Sequence, residues 1–78
     1  MSLVIKATPI KTASIYFFTA ITADNKQKLL YINDETIQAK FLSNIDKEVY
    51  IVTKDSMNVT DVLNEKEFMN YSINKLKA

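Results

Sequence analysis

Seventy-eight residues, 47% hydrophobic and 24% charged with a net charge of +1, make a single folded domain spanning 1–78 and leave no room for a second. The chain has no Gly, Cys or His, and its ten basic residues are all Lys. Those absences exclude Cys/His zinc centres, disulfide frameworks, glycine-dependent phosphate and dinucleotide loops, nucleophile elbows and His-based triads, so neither a metal nor a cofactor is expected.

In chain order, Leu3, Ile5 and Ala7 alternate with Val4 and Lys6 up to Thr8-Pro9. Proline cannot donate to a ladder, so residues 2–8 read as a short edge strand. Ser14 to Ala23 is dense in β-branched and aromatic residues, with Ile15, Phe17, Thr19 and Ile21 on one face and Tyr16, Phe18, Ala20 and Thr22 on the other. Asp24-Asn25 tolerates the left-handed conformation in the absence of glycine and predicts a turn over Asp24 to Lys26. Lys28 to Asn33 then returns antiparallel to the first arm of this hairpin.

Asn33 or Asp34 is placed to cap a helix over Asp34 to Ile45, whose apolar stripe is Ile37, Phe41, Leu42 and Ile45. Val49 to Thr53 alternates as a further strand. The last stretch has two readings. Val59, Val62, Leu63, Met69, Ile73 and Leu76 fall within about 140° of arc, which suits one helix over 59–77. Asn64 with Glu67 three residues on forms a capping-box pattern, which leaves a short element at 57–63 and a helix at 65–77. The predicted order is β-β-β-α-β-α: an α+β fold, with a small antiparallel or mixed sheet and two helices packed on one face.

Candidate chemistry is sparse. Ser72 and Lys75 match a Ser-x-x-Lys pattern, and Asp61, Glu65 and Glu67 could divide acid and base roles or hold a hard cation. A Lys near a frayed helix end makes a poor base, and acidic residues in a first helical turn are what the helix dipole favours. Asn58-Val59-Thr60 and Asn70-Tyr71-Ser72 match the glycosylation sequon, at about the frequency that this Asn and Ser/Thr content produces by chance. Tyr16, Phe18 and Tyr31 beside Lys26 and Lys28 could stack nucleobases. Net charges of +2 on residues 1–45 and −1 on residues 46–78 give no basic footprint, which disfavours nucleic acid.

The chain carries more large apolar side chains than one sheet face and two helices can bury. One sheet-face set, represented by Tyr16, Phe18 and Tyr31, is expected to stay exposed; on a continuous last helix, so is the pair Phe68 and Tyr71. The expected function is non-enzymatic: stoichiometric binding of another protein chain, self or host, through these aromatics. No apolar run reaches the roughly 18 residues of a membrane span, and Met1 to Lys6 has no basic leader pattern, so a cytoplasmic protein is expected. Abundant Lys, Ile and Asn without Gly or Arg is what AT-rich coding produces. This composition suits an inhibitor or adaptor of a phage or mobile element, with a nucleic-acid-binding module as the alternative and a minimal carboxylate or Ser/Lys enzyme third.

Overall fold

The computed structural model describes residues 3–55 and 57–77, the last three by backbone alone. Its elements are β1 (Leu3–Thr12), β2 (Phe17–Thr22), β3 (Gln27–Tyr31), α1 (Glu35–Ser43), β4 (Val49–Thr53), β5 (Val59–Leu63) and α2 (Glu65–Lys77). The fold is α+β: one five-stranded antiparallel sheet, ordered β3-β2-β1-β4-β5, with two helices.

The predicted hairpin forms, with Phe17 opposite Tyr31 and Ile21 opposite Gln27. Asn25 takes φ 64°, and Thr22 closes the turn by donating its N–H to the Lys26 carbonyl at 2.9 Å. This is a three-residue connection ending in a left-handed residue, with Asn doing what Gly usually does.

The first strand departs from expectation. It runs through Pro9 to Thr12 and lies at the centre of the sheet, its N-terminal half against β4 (Leu3 opposite Thr53) and its C-terminal half against β2 (Thr8 opposite Ile21). Proline is tolerated because the register shifts between Pro9 and Lys11, a bulge, and β4 pairing has already stopped at Ala7. The Pro9 carbonyl is satisfied by the N–H of Asp46 at 3.0 Å.

The second reading of the C-terminal stretch holds: Val59–Leu63 is a strand, and α2 starts at Glu65. Asn64 and Glu67 form a reciprocal box. The Glu67 N–H donates to Asn64 Oδ1 at 2.8 Å, and the Asn64 N–H donates to Glu67 Oε1 at 3.0 Å. The fifth strand completes the order βββαββα.

Tyr31 makes a parallel bridge to Asn58, so the edges β3 and β5 meet at one end and the sheet curls toward a partly closed barrel. Inside it lie Ala7, Phe18, Ala20, Leu30, Ile32, Val49, Ile51, Val59 and Val62, closed over by Phe41 of α1. Asp34 caps α1 by accepting the Ile37 N–H at 3.1 Å, which fixes the entry of the helix and aims Phe41 inward. The two helices do not share a face. Tyr50 points away from Val49 and Ile51, and Phe68 of α2 stacks on it with centroids 3.9 Å apart, so α2 covers the outside of the sheet where α1 fills the inside.

The β4–β5 turn is organised by Asp55, whose carboxylate accepts the N–H groups of Met57 (3.0 Å) and Asn58 (3.1 Å) and the Asn58 side-chain amide (2.7 Å). These bonds, the Met57 N–H foremost, hold its carboxyl at about 2. Because the folded value lies below the unfolded one, the stabilisation is complete above about pH 4 and is lost as the pH falls toward 2. Asp55→Asn should therefore be less stable than wild type at pH 6, with the gap closing by pH 2. Urea midpoints at the two pH values measure it, and a gap that stays constant with pH would contradict the assignment.

Candidate interaction surface

Alternation divides the hairpin. Phe18, Ala20 and Leu30 face the barrel interior; Phe17, Thr19, Ile21, Leu29 and Tyr31 face outward. Phe18 is only 2% exposed, edge-on to Phe41 at 5.3 Å, and cannot belong to a binding surface. Phe17 takes its place, 5.4 Å from the Tyr31 ring, and Tyr16 lies 6.0 Å from Tyr31 on the other side.

The connection between β1 and β2 extends this group. Phe17 is held by a tight turn in which the N–H groups of Ala13 (2.7 Å) and Ser14 (3.0 Å) converge on its carbonyl, leaving Ile15 at the tip, 75% exposed. Tyr16 remains 46% and Leu29 47% exposed. The result is an apolar strip of Ile15, Tyr16, Phe17, Tyr31, Leu29 and Ile21. At its centre Thr19 is buried, its hydroxyl donating to the Lys11 carbonyl at 3.3 Å. Large apolar side chains gathered on one face of a small domain are the physical signature of a contact surface.

Phe68 and Tyr71 come together but face the sheet. Their rings are 6.5 Å apart, Phe68 lies between Tyr50 and Tyr71, and Lys6 Nζ sits 5.6 Å from the Tyr50 centroid. Both are half-buried, while Met69 and Ile73 point to solvent. The reversal follows from the helix start: Val59, Val62 and Leu63 belong to a strand, so the stripe that paired them with Met69 and Ile73 does not exist.

The acidic candidates are partly absorbed by α1. Lys40 Nζ donates to Asp61 Oδ1 at 3.0 Å and Glu67 Oε2 at 3.5 Å, joining α1, β5 and the cap of α2. Burial alone would lower the Lys40 pKa, but the bonds and charges of Asp61 and then Glu67 outweigh it and hold the ammonium above its usual range. Asp61 and Glu67 thus share one lysine, which offsets one of their two charges and engages both carboxylates. Glu65 stands apart, exposed, and no group of three acidic side chains able to hold a cation occurs among the described residues. Ser72 lies half-buried on α2, while the Lys75 side chain lies outside the described residues.

Lys26 and Lys28 border an open cleft of about 330 Å³ with Thr22, Asp24 and Gln27, beside the strip rather than within it. Lys26 is paired with Asp24 at 3.9 Å, whereas Lys28 has no ion-pair partner among the described residues. Among those residues, no helix is long and apolar enough to cross a membrane.

Ile15, Phe17, Ile21 and Leu29 belong to the strip but not to the aromatic set expected from the sequence. Polarity does not separate the two faces: Thr19 and Gln27 lie in the outward set, but Lys28 sits opposite Ala20 in the inward set with Phe18, Leu30 and Ile32. No protein-family model, curated protein or solved structure matches the chain.

Proposed function

We propose that this chain is a non-enzymatic binding module that takes another protein on the outer face of β2 and β3, as a stoichiometric inhibitor or adaptor. The observation that carries the reading is the strip of Ile15, Tyr16, Phe17, Leu29 and Tyr31. Ile15, Tyr16 and Leu29 are exposed, and Phe17 and Tyr31 are half-buried beside them, outside the core of the barrel. Aromatic anchors amid aliphatic neighbours are typical of the energetic centre of protein interfaces. Charge supports protein over a polyanion, since Asp24 offsets Lys26 and the chain as a whole is only +1.

A second reading rests on architecture. Five antiparallel strands curled into a partly open barrel, with a helix between the third and fourth, resemble OB-type barrels, which bind oligonucleotides on the face of strands two and three. That is an analogy of fold, and here the face is flanked by aliphatic side chains where a phosphate backbone would require cations.

Sedimentation and partner pull-down on Tyr16→Ala, Phe17→Ala and Tyr31→Ala test the proposal, with Met69→Ala as an exposed control on α2. At least one strip variant should weaken binding by about thirtyfold, the loss of a hot-spot residue, and the control should not. Equal recovery by all the folded variants would refute it. Oligothymidylate binding that falls steeply with salt would establish the second reading instead.

A further inference from the structure

The hairpin register determines which backbone groups reach the free edge of β3. Thr22 bonds Lys26, and Ile32 donates to the Tyr16 carbonyl at 2.9 Å, so bonded pairs recur at every second residue and include Ala20 with Lys28 and Phe18 with Leu30. Gln27, Leu29 and Tyr31 therefore turn their N–H and C=O groups away from β2. The Tyr31 N–H is taken by the Met57 carbonyl at 3.0 Å, where β3 meets the segment before β5. Gln27 and Leu29 have no such neighbour among the described residues. Four main-chain groups thus lie open, on the strand whose outward side chains form part of the strip.

We infer that β3 accepts an added strand: an extended segment of a partner protein with an acidic residue opposite Lys28 and apolar residues on either side of it. The inference rests on the protein-binding reading and specifies how the partner docks. The apolar residues, opposite Gln27 and Leu29, exchange main-chain bonds with them and lie on the strip beside Leu29 and Tyr31. The acidic side chain enters the cleft lined by Lys28, Lys26 and Gln27, where Lys28 is the cation without an ion-pair partner.

A second copy of this chain fits poorly. A two-fold antiparallel pairing that uses both Gln27 and Leu29 places Lys28 opposite its own symmetry mate in the close, non-bonded position, where like charges repel. An edge lysine of this kind blocks self-pairing while leaving the edge open to an acidic strand.

The test uses 15N-labelled protein and the peptide acetyl-Thr-Val-Asp-Val-Thr-amide. Sister peptides carry Lys in place of Asp, or N-methyl groups on both valines. The parent peptide should shift the Gln27 and Leu29 amides and slow their hydrogen exchange. The Lys peptide should bind roughly fivefold or more weakly, the N-methylated peptide should leave these amides unmoved, and Lys28→Glu should reverse the preference between Asp and Lys. Binding that survives N-methylation, ignores the charge at the central position, or perturbs residues away from β3 overturns strand addition, as does an oligothymidylate that shifts these amides when the parent peptide does not. If Tyr16→Ala or Tyr31→Ala abolishes partner recovery while Lys28→Glu leaves it intact, partner binding through the strip stands and the added strand falls.

Discussion

Phe41→Ala should cost about 3–5 kcal/mol, a large share of the roughly 4–12 kcal/mol that a domain of this length commands. The ring is fully buried, 0% exposed, edge-on to Phe18, and it is the only side chain of α1 that is completely enclosed. Its removal opens a cavity at the point where helix and sheet meet. The wall of that cavity is a curled sheet held by ladder bonds, which cannot collapse inward without breaking register. Urea denaturation measures the effect. Phe41→Leu should lose much less, and an alanine variant within about 1 kcal/mol of wild type would mean that α1 is not seated as described.

The second large effect is on the other side of the sheet. Phe68→Ala should cost about 2 kcal/mol, less than a fully enclosed ring because Phe68 is half-buried, and should release α2 as a helix. Thirteen residues are marginal as an isolated helix, so the capping box alone cannot hold Glu65–Lys77 together once the stack on Tyr50 is gone. Ellipticity at 222 nm should fall and amide exchange should accelerate across α2, while the β2–β3 hairpin stays protected. Tyr50→Ala should produce the same pattern, and the double variant should lose less than the sum of the two, because both single changes remove one contact. Unchanged exchange in α2 would mean that other contacts dock the helix.

What could be read from the residues was local. The Asp24-Asn25 turn, the Asp34 cap and the alternation of Val49 to Thr53 are written in neighbouring positions, and all three occur as expected. The central position of β1 was not legible, because Pro9 looks like a strand end until a bulge and a carbonyl partner from Asp46, far along the chain, supply its setting. The side of the hairpin that turns inward was ambiguous for a similar reason. Both faces are apolar enough to form a core, and the choice depends on which matches α1 and β4 across the barrel. Of the expected surface aromatics, Tyr16 and Tyr31 are neighbours on the outer strip, Phe18 is core, and Phe68 with Tyr71 lies against the sheet.

The shared strand β1 also governs how this protein can be born. The pairs β2–β3 and β4–β5 are each local, but β1 must join both, and its partner Thr53 follows Leu3 by fifty positions. A ribosome adding about 5–20 residues per second needs several seconds to deliver the second half of the sheet after the first strand. Throughout that interval the inner face of the hairpin, Phe18, Ala20 and Leu30, has no α1 or β4 to cover it. For those seconds the hairpin presents an uncovered apolar face, and Lys26 and Lys28 beside its turn are charges of the kind that oppose edge-to-edge association of strands.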